Sequence, residues 1–402
     1  MGLGPLVSSL LRNKTGPLLV ALQIAVTLAI VINSLYIILQ RVDKMNRATG
    51  IDVENVIITY VRGFGANFDV TNSITNDIDL IKSIPGVVAA TVSNHVPLSG
   101  SGSGTVLRTI PDETIEPVNT GRYRWSVAGL DALGVELSRG RNFLPEEVDY
   151  ILPKSNVGAP PSVLVTQALA DNLFGDEDAL GKPVYWGSLE PSTIVGIIGH
   201  MHGSWVGWDK LDNVVIQPGK PAYTTNKYIA RVEPGMRDRL MPIIEAKLGE
   251  ANRQRVVKSV RSLEEMAARS YRQDRGMAII LSIVISLLIG LTALVIVGLS
   301  SFHVTQRTKQ IGTRRALGAR RVDIIRQFML ENWLITTTGA LIGVILTVAV
   351  AYWLETSFEL ERLDWSYLPM GILVLWILSS LAVFAPARRA AAVSPAVATR
   401  SV

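Results

Sequence analysis

TGPLLVALQIAVTLAIVINSLYIILQ (residues 15–40) and GMAIILSIVISLLIGLTALVIVGLSSFHVTQ (residues 276–306) contain no Asp, Glu, Lys or Arg. Residues 332–354 and 365–387 are equally free of charge. A bilayer core of ~30 Å takes about 20 helical residues at ~1.5 Å each, and all four stretches are longer than that. The first two enclose a polar segment of 235 residues, 41–275. The pattern predicts an α+β membrane protein: four transmembrane helices with a large α+β extracytoplasmic domain inserted between the first and the second.

Charge sets the orientation. The chain carries a net charge of +5, which alone would admit a nucleic acid partner. Its distribution argues against one. Arg12 and Lys14 precede the first span, seven Lys and Arg lie between the second and third, and Arg388, Arg389 and Arg400 follow the fourth. These segments sum to +10, whereas residues 41–275 sum to −2. A basic excess on one membrane face marks the cytoplasm, so both termini are expected inside and residues 41–275 in the periplasm or outside the cell. Arg41, Lys44 and Arg47 blur the flanks of the first span, so the orientation rests on the basic loop between spans two and three. The chain has no Cys, which rules out a disulfide scaffold and a thiolate metal site. The first span is too long for a cleaved signal peptide and ends without a small-residue cleavage site, so it reads as a retained anchor.

Leu3, Leu6, Val7, Leu10 and Leu11 share one helical face, predicting a short interfacial helix before the first span. The resulting domains are 1–40, 41–275 and 276–402. Within the outer domain, residues 53–61 and 87–93 read as strands around a helix at 71–84, stopped by Pro85-Gly86. The order recurs as strand 227–232, helix 235–248 and strand 255–260. Two βαβ-like units around one sheet are therefore expected, with an inserted subdomain over about 97–216. That insertion opens on a Gly/Ser run, 98–104, read as a flexible loop, and holds a helix at 166–174 and a strand at 193–198. Leu263, Met266, Ala267, Ser270 and Tyr271 share a face, predicting a helix over 262–275 that continues unbroken into the second span. Residues 41–47 would extend the first span to match it.

The sharpest local signal is QRTKQIGTRRALGARR, residues 306–321. Gly318 suits a left-handed helix C-cap. Apolar Ile311, Ala316 and Leu317 beside Arg314 and Arg315 suit docking in a partner's groove, or equally a topology signal resting on anionic lipid. The segment resembles the R-T-x-E-I-G-x-R-R-A-L-G-A signature of MacB/FtsX-family ABC transporter permeases. Phe328 to Glu331 leading into Gly339 to Gly343 resembles that family's third span. Ala385 to Ala390 and Ser394 to Arg400 resemble its tail. Gly140 to Phe143, Val163 to Thr166, Ala170 to Gly175, Gly181-Lys182 and Ile194 to Ile198 follow the order of a MacB-type periplasmic domain.

The resemblance implies a permease subunit that couples cytoplasmic ATP hydrolysis to movement of the outer domain, with export or efflux from the periplasmic side. Gln310, Ile311, Gly312, Arg314, Arg315, Ala316, Leu317 and Gly318 would be its ATPase-coupling residues. Its partners would be separate ABC ATPase subunits, a second permease, the lipid bilayer and a periplasmic adaptor, with no nucleic acid. Gln310 stands where the family has Glu, and Thr399 where it has Leu. These departures favour a paralogous rather than an identical second permease. The sequence holds no G-x-x-x-x-G-K-[ST] phosphate loop, and only a short segment precedes the first span. ATP and Mg2+ are thus expected in the partner, with no cofactor and no catalytic residue in this chain. Two other readings stand beside this one: Lol-like extraction of lipoprotein or lipid, and an FtsX-like scaffold regulating a cell-wall hydrolase or sensing a peptide.

Two further patterns bear on sites. His200 and His202 alternate as on a strand, with Asp209 and Asp212 nearby, a donor set that suits a metal. Only two histidines come close together, and Trp205 and Trp208 mark a packed loop, so no metal is assigned. In the membrane, Ser282, Ser286, Gly290 and Gly298 recur at multiples of four, and Gly339 and Gly343 form G-x-x-x-G. Both rows permit close helix approach, within the chain or at a dimer interface. Gln23, Asn33 and Ser34 are expected to hydrogen-bond to neighbouring helices. No span carries a charge, which argues against ion-coupled transport.

Overall fold

The computed structural model describes residues 15–153, 158–186, 190–358 and 362–393. The amphipathic stretch 3–11 and the tail from 394 lie outside them. Residues 47–273 form one compact unit, and the first helix with the chain from Asp274 onward forms the other.

Helix α1 (Thr15–Asn46) runs six residues past the uncharged stretch. The outer unit then begins with β1 (Val56–Gly63), α2 (Val70–Lys82) and β2 (Val87–Ser93). Asp69 caps α2 by accepting from Asn72 N at 3.1 Å. Next come β3 (Gly104–Arg108), β4 (Val118–Trp125), α3 (Gly129–Leu133), β5 (Leu137–Gly140) and β6 (Tyr150–Ile151). They are followed by β7 (Ser162–Thr166), α4 (Gln167–Phe174), β8 (Pro183–Trp186), β9 (Pro191–Ile198), β10 (Val214–Pro218) and β11 (Lys220–Pro221). The unit closes with β12 (Thr225–Val232), α5 (Arg237–Ala251), β13 (Arg255–Ser262) and α6 (Leu263–Ser270).

The two βαβ-like units share one antiparallel sheet in the order β13-β1-β12-β2. β12 lies between β1 and β2, so those two strands run parallel and each unit is a split βαβ. Period-2 alternation divides the sheet's side chains. Ile57, Val61, Ala90, Tyr228 and Ala230 pack with Ile74, Ile78 and Ile81 of α2 and Leu240, Ile244 and Leu248 of α5. Val56, Ile58, Ala89 and Ile229 join a second core with Tyr123, Trp125, Leu133 and Leu164. Each fully buried Ile, Leu or Val among them contributes roughly 1.5–3 kcal/mol. Arg255 and Asp77 are paired beneath the helices, 1% and 2% exposed. Tyr228 Oη donates to Asp77 at 2.7 Å, and Arg255 Nε and Nη2 donate to Leu248 O at 3.0 and 2.7 Å. Each nitrogen of the buried guanidinium group thus donates to an acceptor on α2 or α5.

Apart from β6, which pairs with β11, the strands from β3 to β10 build a separate sheet in the order β5-β9-β7-β10-β4-β3-β8. β8 pairs with both β3 and β9, so this ladder closes on itself. Its Gly/Ser entry, expected to be a flexible loop, is fastened: Leu98 N donates to Gly203 O at 2.9 Å and Gly100 N to Ser204 O at 2.8 Å. Leu98 is fully buried with φ +57, a left-handed conformation rare outside glycine.

The helix predicted to run unbroken into the second span is interrupted. Ser262 caps α6 by accepting from Glu265 N at 3.1 Å. Tyr271 then leaves helical geometry (φ −86, ψ 7), and α7 (Arg272–Gln306) starts afresh. Tyr271 is buried, and Ser270 Oγ donates to Leu98 O at 2.7 Å. Those contacts hold the end of α6 in the domain's own packing, and the helical phase is lost at the next residue.

The membrane unit continues with α8 (Thr308–Ala316), α9 (Arg321–Phe358) and α10 (Tyr367–Ala391). Helices α1, α7, α9 and α10 are long and apolar enough to cross a bilayer. Polar bonds link them: Thr27 Oγ1 to Thr292 Oγ1 at 2.8 Å, Asn33 Nδ2 to Thr347 O at 3.3 Å, and Thr336 Oγ1 to Ser379 Oγ at 3.1 Å. Gln23 also donates to Thr292, at 3.4 Å. Asp274, 7% exposed, pairs with Arg41 and lies 3.7 Å from Lys44, joining one end of α7 to α1.

Candidate functional site

The basic loop folds as α8, set off from α7 at Arg307 and from α9 by a turn at Leu317-Gly318. Gly318 has φ +97, which favours glycine, and Ala319 N closes the turn on Arg314 O at 3.1 Å. Asp323 Oδ2 accepts from Arg320 N at 2.9 Å and starts α9.

The eight candidate residues separate into two faces. Ile311 and Gly312 are buried, Ile311 among Ile324, Phe328, Val383, Ala387 and Ala390. Arg315 Nη1 donates to Ala391 O at 3.1 Å and Val393 O at 2.6 Å, closing carbonyls that the end of α10 leaves open. Gln310, Arg314, Ala316, Leu317 and Gly318 are exposed. Leu317 is 83% exposed and Val322 70%, beside Arg314, Arg320 and Arg321. Arg314 Nη1 is steadied by Gln327 Oε1 at 2.6 Å. An exposed apolar tip, with arginines near it in the chain, therefore stands on a helix whose other face is locked into the bundle.

The sequence reading passed over the brace beneath this tip. Arg307 Nη1 meets both oxygens of Glu331, at 2.9 and 3.0 Å, and Gln327 Nε2 donates to the same carboxylate at 3.2 Å. Glu331 is 7% exposed at its side chain. The signal was there: one acid at the head of an uncharged span, facing a run of arginines.

The two small-residue rows separate as well. A Cβ at Gly339 would sit 2.7 Å from Ala21 O, and one at Gly343 would sit 3.0 Å from Leu28 Cβ. That row holds α9 against α1 within the chain. Gly371, not singled out beforehand, does the same against Ile32, at 2.8 Å. Gly290 and Gly298 have nothing within 4 Å. Ser282 and Ser286 are exposed and donate back to Ala278 O and Ser282 O at 2.7 and 2.8 Å. In one chain 56% of the apolar window of α1 is buried but only 11% of that of α7, so this second row faces outward.

Two features mark the outer unit. A cleft of about 500 Å³ is lined by Val106, Thr120, Trp205 and Trp208, the two indoles edge to face at 5.7 Å. Elsewhere Arg122, Arg124 and Lys227 gather near His95, their hydrogen-bond partners among the described residues all neutral. Arg122 donates to Ser103 Oγ at 3.1 Å, Arg124 to Gln217 Oε1 at 3.2 Å and Lys227 to Asn94 O at 2.6 Å. Burial first, and then these three cations, push His95 down to about 4.

The comparisons with known proteins follow these two units. Residues 18–263 match the MacB-like periplasmic core domain, and residues 282–395 match the FtsX-like permease C-terminal domain. The macrolide export ATP-binding/permease protein MacB of Neisseria gonorrhoeae is 26% identical over 86% of this chain and 52% of its own length. The protein of the same name from Marinobacter nauticus is 26% identical over 82% of this chain and 49% of its own. The chain thus spans about half the length of the curated relatives it matches. Among solved structures, the periplasmic region of MacB from Actinobacillus actinomycetemcomitans covers 56% of this chain and 95% of itself, at 13% identity and a TM-score of 0.33.

Proposed function

Because the chain belongs to the family of membrane permeases that carry a MacB-like periplasmic core domain and an FtsX-like C-terminal domain, we propose that it is the permease subunit of an ABC transporter. It sits in the bacterial inner membrane with both termini in the cytoplasm and residues 41–275 in the periplasm. ATP is bound and hydrolysed by separate ATPase subunits, with Mg2+, and this chain supplies no catalytic residue. The relatives named above carry "ATP-binding/permease" in their names, which supports an ATPase as the companion function.

The observation that carries the proposal is the tip of α8. Leu317, 83% exposed, lies in a segment that also carries the exposed Arg314, Arg320 and Arg321. A bare leucine in so basic a segment suits a groove with an apolar floor and an acidic rim. Anchored by Ile311 and Arg315, α8 passes a push at Leu317 to α9 and α10 rather than yielding locally. The outward row Ser282, Ser286, Gly290 and Gly298 suits a second permease, a paralogue on the evidence of Gln310 and Thr399. Movement of the pair on ATP binding then works the outer domains, and substrate leaves from the periplasmic side, with a periplasmic adaptor joining there.

The test replaces Leu317 and Arg314 with Glu in the assembled complex. Membrane insertion is expected to remain and ATP-dependent function to be lost. Full function in Leu317→Glu would remove α8 as the coupling element. The cleft beside Trp205 and Trp208 favours a second reading, extraction of a lipidated substrate. A photocrosslinker at Trp208 would then trap lipidated protein.

A further inference from the structure

Of the two aspartates that the sequence places near the histidine pair, the structure brings Asp212 to it. We propose that His200, His202 and Asp212 form a mononuclear site for a divalent metal ion of the zinc type. One donor atom from each of the three lies within 4.8 Å of the others. Two imidazoles and a carboxylate are borderline-to-hard ligands that suit Zn2+, with a fourth position left to water.

Three independent observations carry the assignment. First, His202 is 1% exposed, and Asp212 Oδ1, buried beside it, has no hydrogen-bond partner. Buried polar atoms are ordinarily satisfied, and a cation shared with His202 Nε2 would satisfy this carboxylate oxygen. Second, His202 Nε2 and Asp212 Oδ1 stand 3.2 Å apart without the alignment of a hydrogen bond. Ligands about 2.0–2.1 Å from a tetrahedral ion are spaced roughly 3.3 Å apart, so that edge of the site is already formed. Third, His200 Nε2 lies 2.7 Å from Ala48 O. Donation there fixes the tautomer and frees Nδ1, the outer support typical of metal-bound histidine.

The frame around the site is rigid where a ligand cage needs it. His202 N donates to Thr49 O at 2.9 Å, and Thr166 Oγ1 donates to Asp212 O at 2.6 Å. His200 is exposed, and its ring meets that of His202 edge-on at 4.9 Å. A cleft of about 620 Å³, lined by Asp52, Glu136 and His200, gives an ion a route in. Asp209 takes no part and faces Lys210.

The test uses the full chain, purified in detergent through a tag without histidine and stripped with chelator. Titration with ZnCl2 by calorimetry should show one Zn2+ per chain. Asp212→Asn and His200→Ala, both at less buried positions, should each weaken binding by about tenfold or more. Zn2+ should raise the unfolding temperature of the native chain and leave Asp212→Asn unmoved. Bound Co2+ should show the strong visible bands of a tetrahedral site. Lack of saturable binding, or unchanged affinity in both variants, would overturn the proposal.

Discussion

Gly339→Val separates packing inside the chain from packing between chains. A Cβ at this position meets Ala21 O at 2.7 Å and Ala21 Cα at 3.1 Å, where ordinary contact begins at 3.4 Å. Both are backbone atoms, so no side-chain rotation relieves the clash. Helices α1 and α9 must part by about 0.7 Å for the Cβ alone, before either γ-methyl is placed. Overpacking of this kind costs about 1–3 kcal/mol, or roughly fivefold to a hundredfold in the unfolding equilibrium. Unfolding in mixed micelles by added SDS, followed by helical circular dichroism, reads that shift. Gly290→Val is the control, because nothing lies within 4 Å of Gly290. It should leave the single chain unchanged and weaken association with the second permease. A stable Gly339→Val beside a destabilised Gly290→Val would refute the reasoning.

Asp77→Asn leaves Arg255 buried without a counter-charge and should lower stability by about 3–5 kcal/mol in thermal unfolding. His95 brings a pH dependence whose sign is fixed. Its folded pKa is lowered from 6.5 to about 4, so below pH 6.5 the unfolded chain takes up a proton that the folded chain refuses. Stability should therefore fall between pH 6.5 and 4 by at most about 3 kcal/mol, and His95→Gln should flatten that part of the curve. Arg315→Ala removes two charge-assisted bonds to Ala391 O and Val393 O, so amides near residue 393 should exchange faster, and Arg315→Lys should restore part of the protection.

Much of this architecture was legible because the bilayer imposes a coarse rule. Absence of charge over 20 or so residues located α1, α7, α9 and α10 without any knowledge of packing. Pro85 and Gly86 punctuated the first split unit for local reasons, and the order strand, helix, strand recurred in its counterpart. What stayed hidden depends on partners distant in the chain. The return of β8 onto β9 cannot be read from either strand. Gly339 and Gly290 carry the same local signal, and only the position of Ala21 tells them apart. The break at Tyr271 follows from burial of its ring and the anchoring of Ser270, not from any helix breaker. Arg315 and Arg314 are neighbours in the loop, yet one caps α10 and the other faces outward.

The central claim, that α8 is where an ATPase takes hold, is open to one direct measurement. A photocrosslinking residue at position 317 is activated in native membranes, and the adduct is isolated in mild detergent and identified by mass. The account predicts an adduct with a P-loop ATPase, lost when Arg314 is reversed to Glu. Crosslinks to lipid alone, with no ATPase co-purifying, would contradict it.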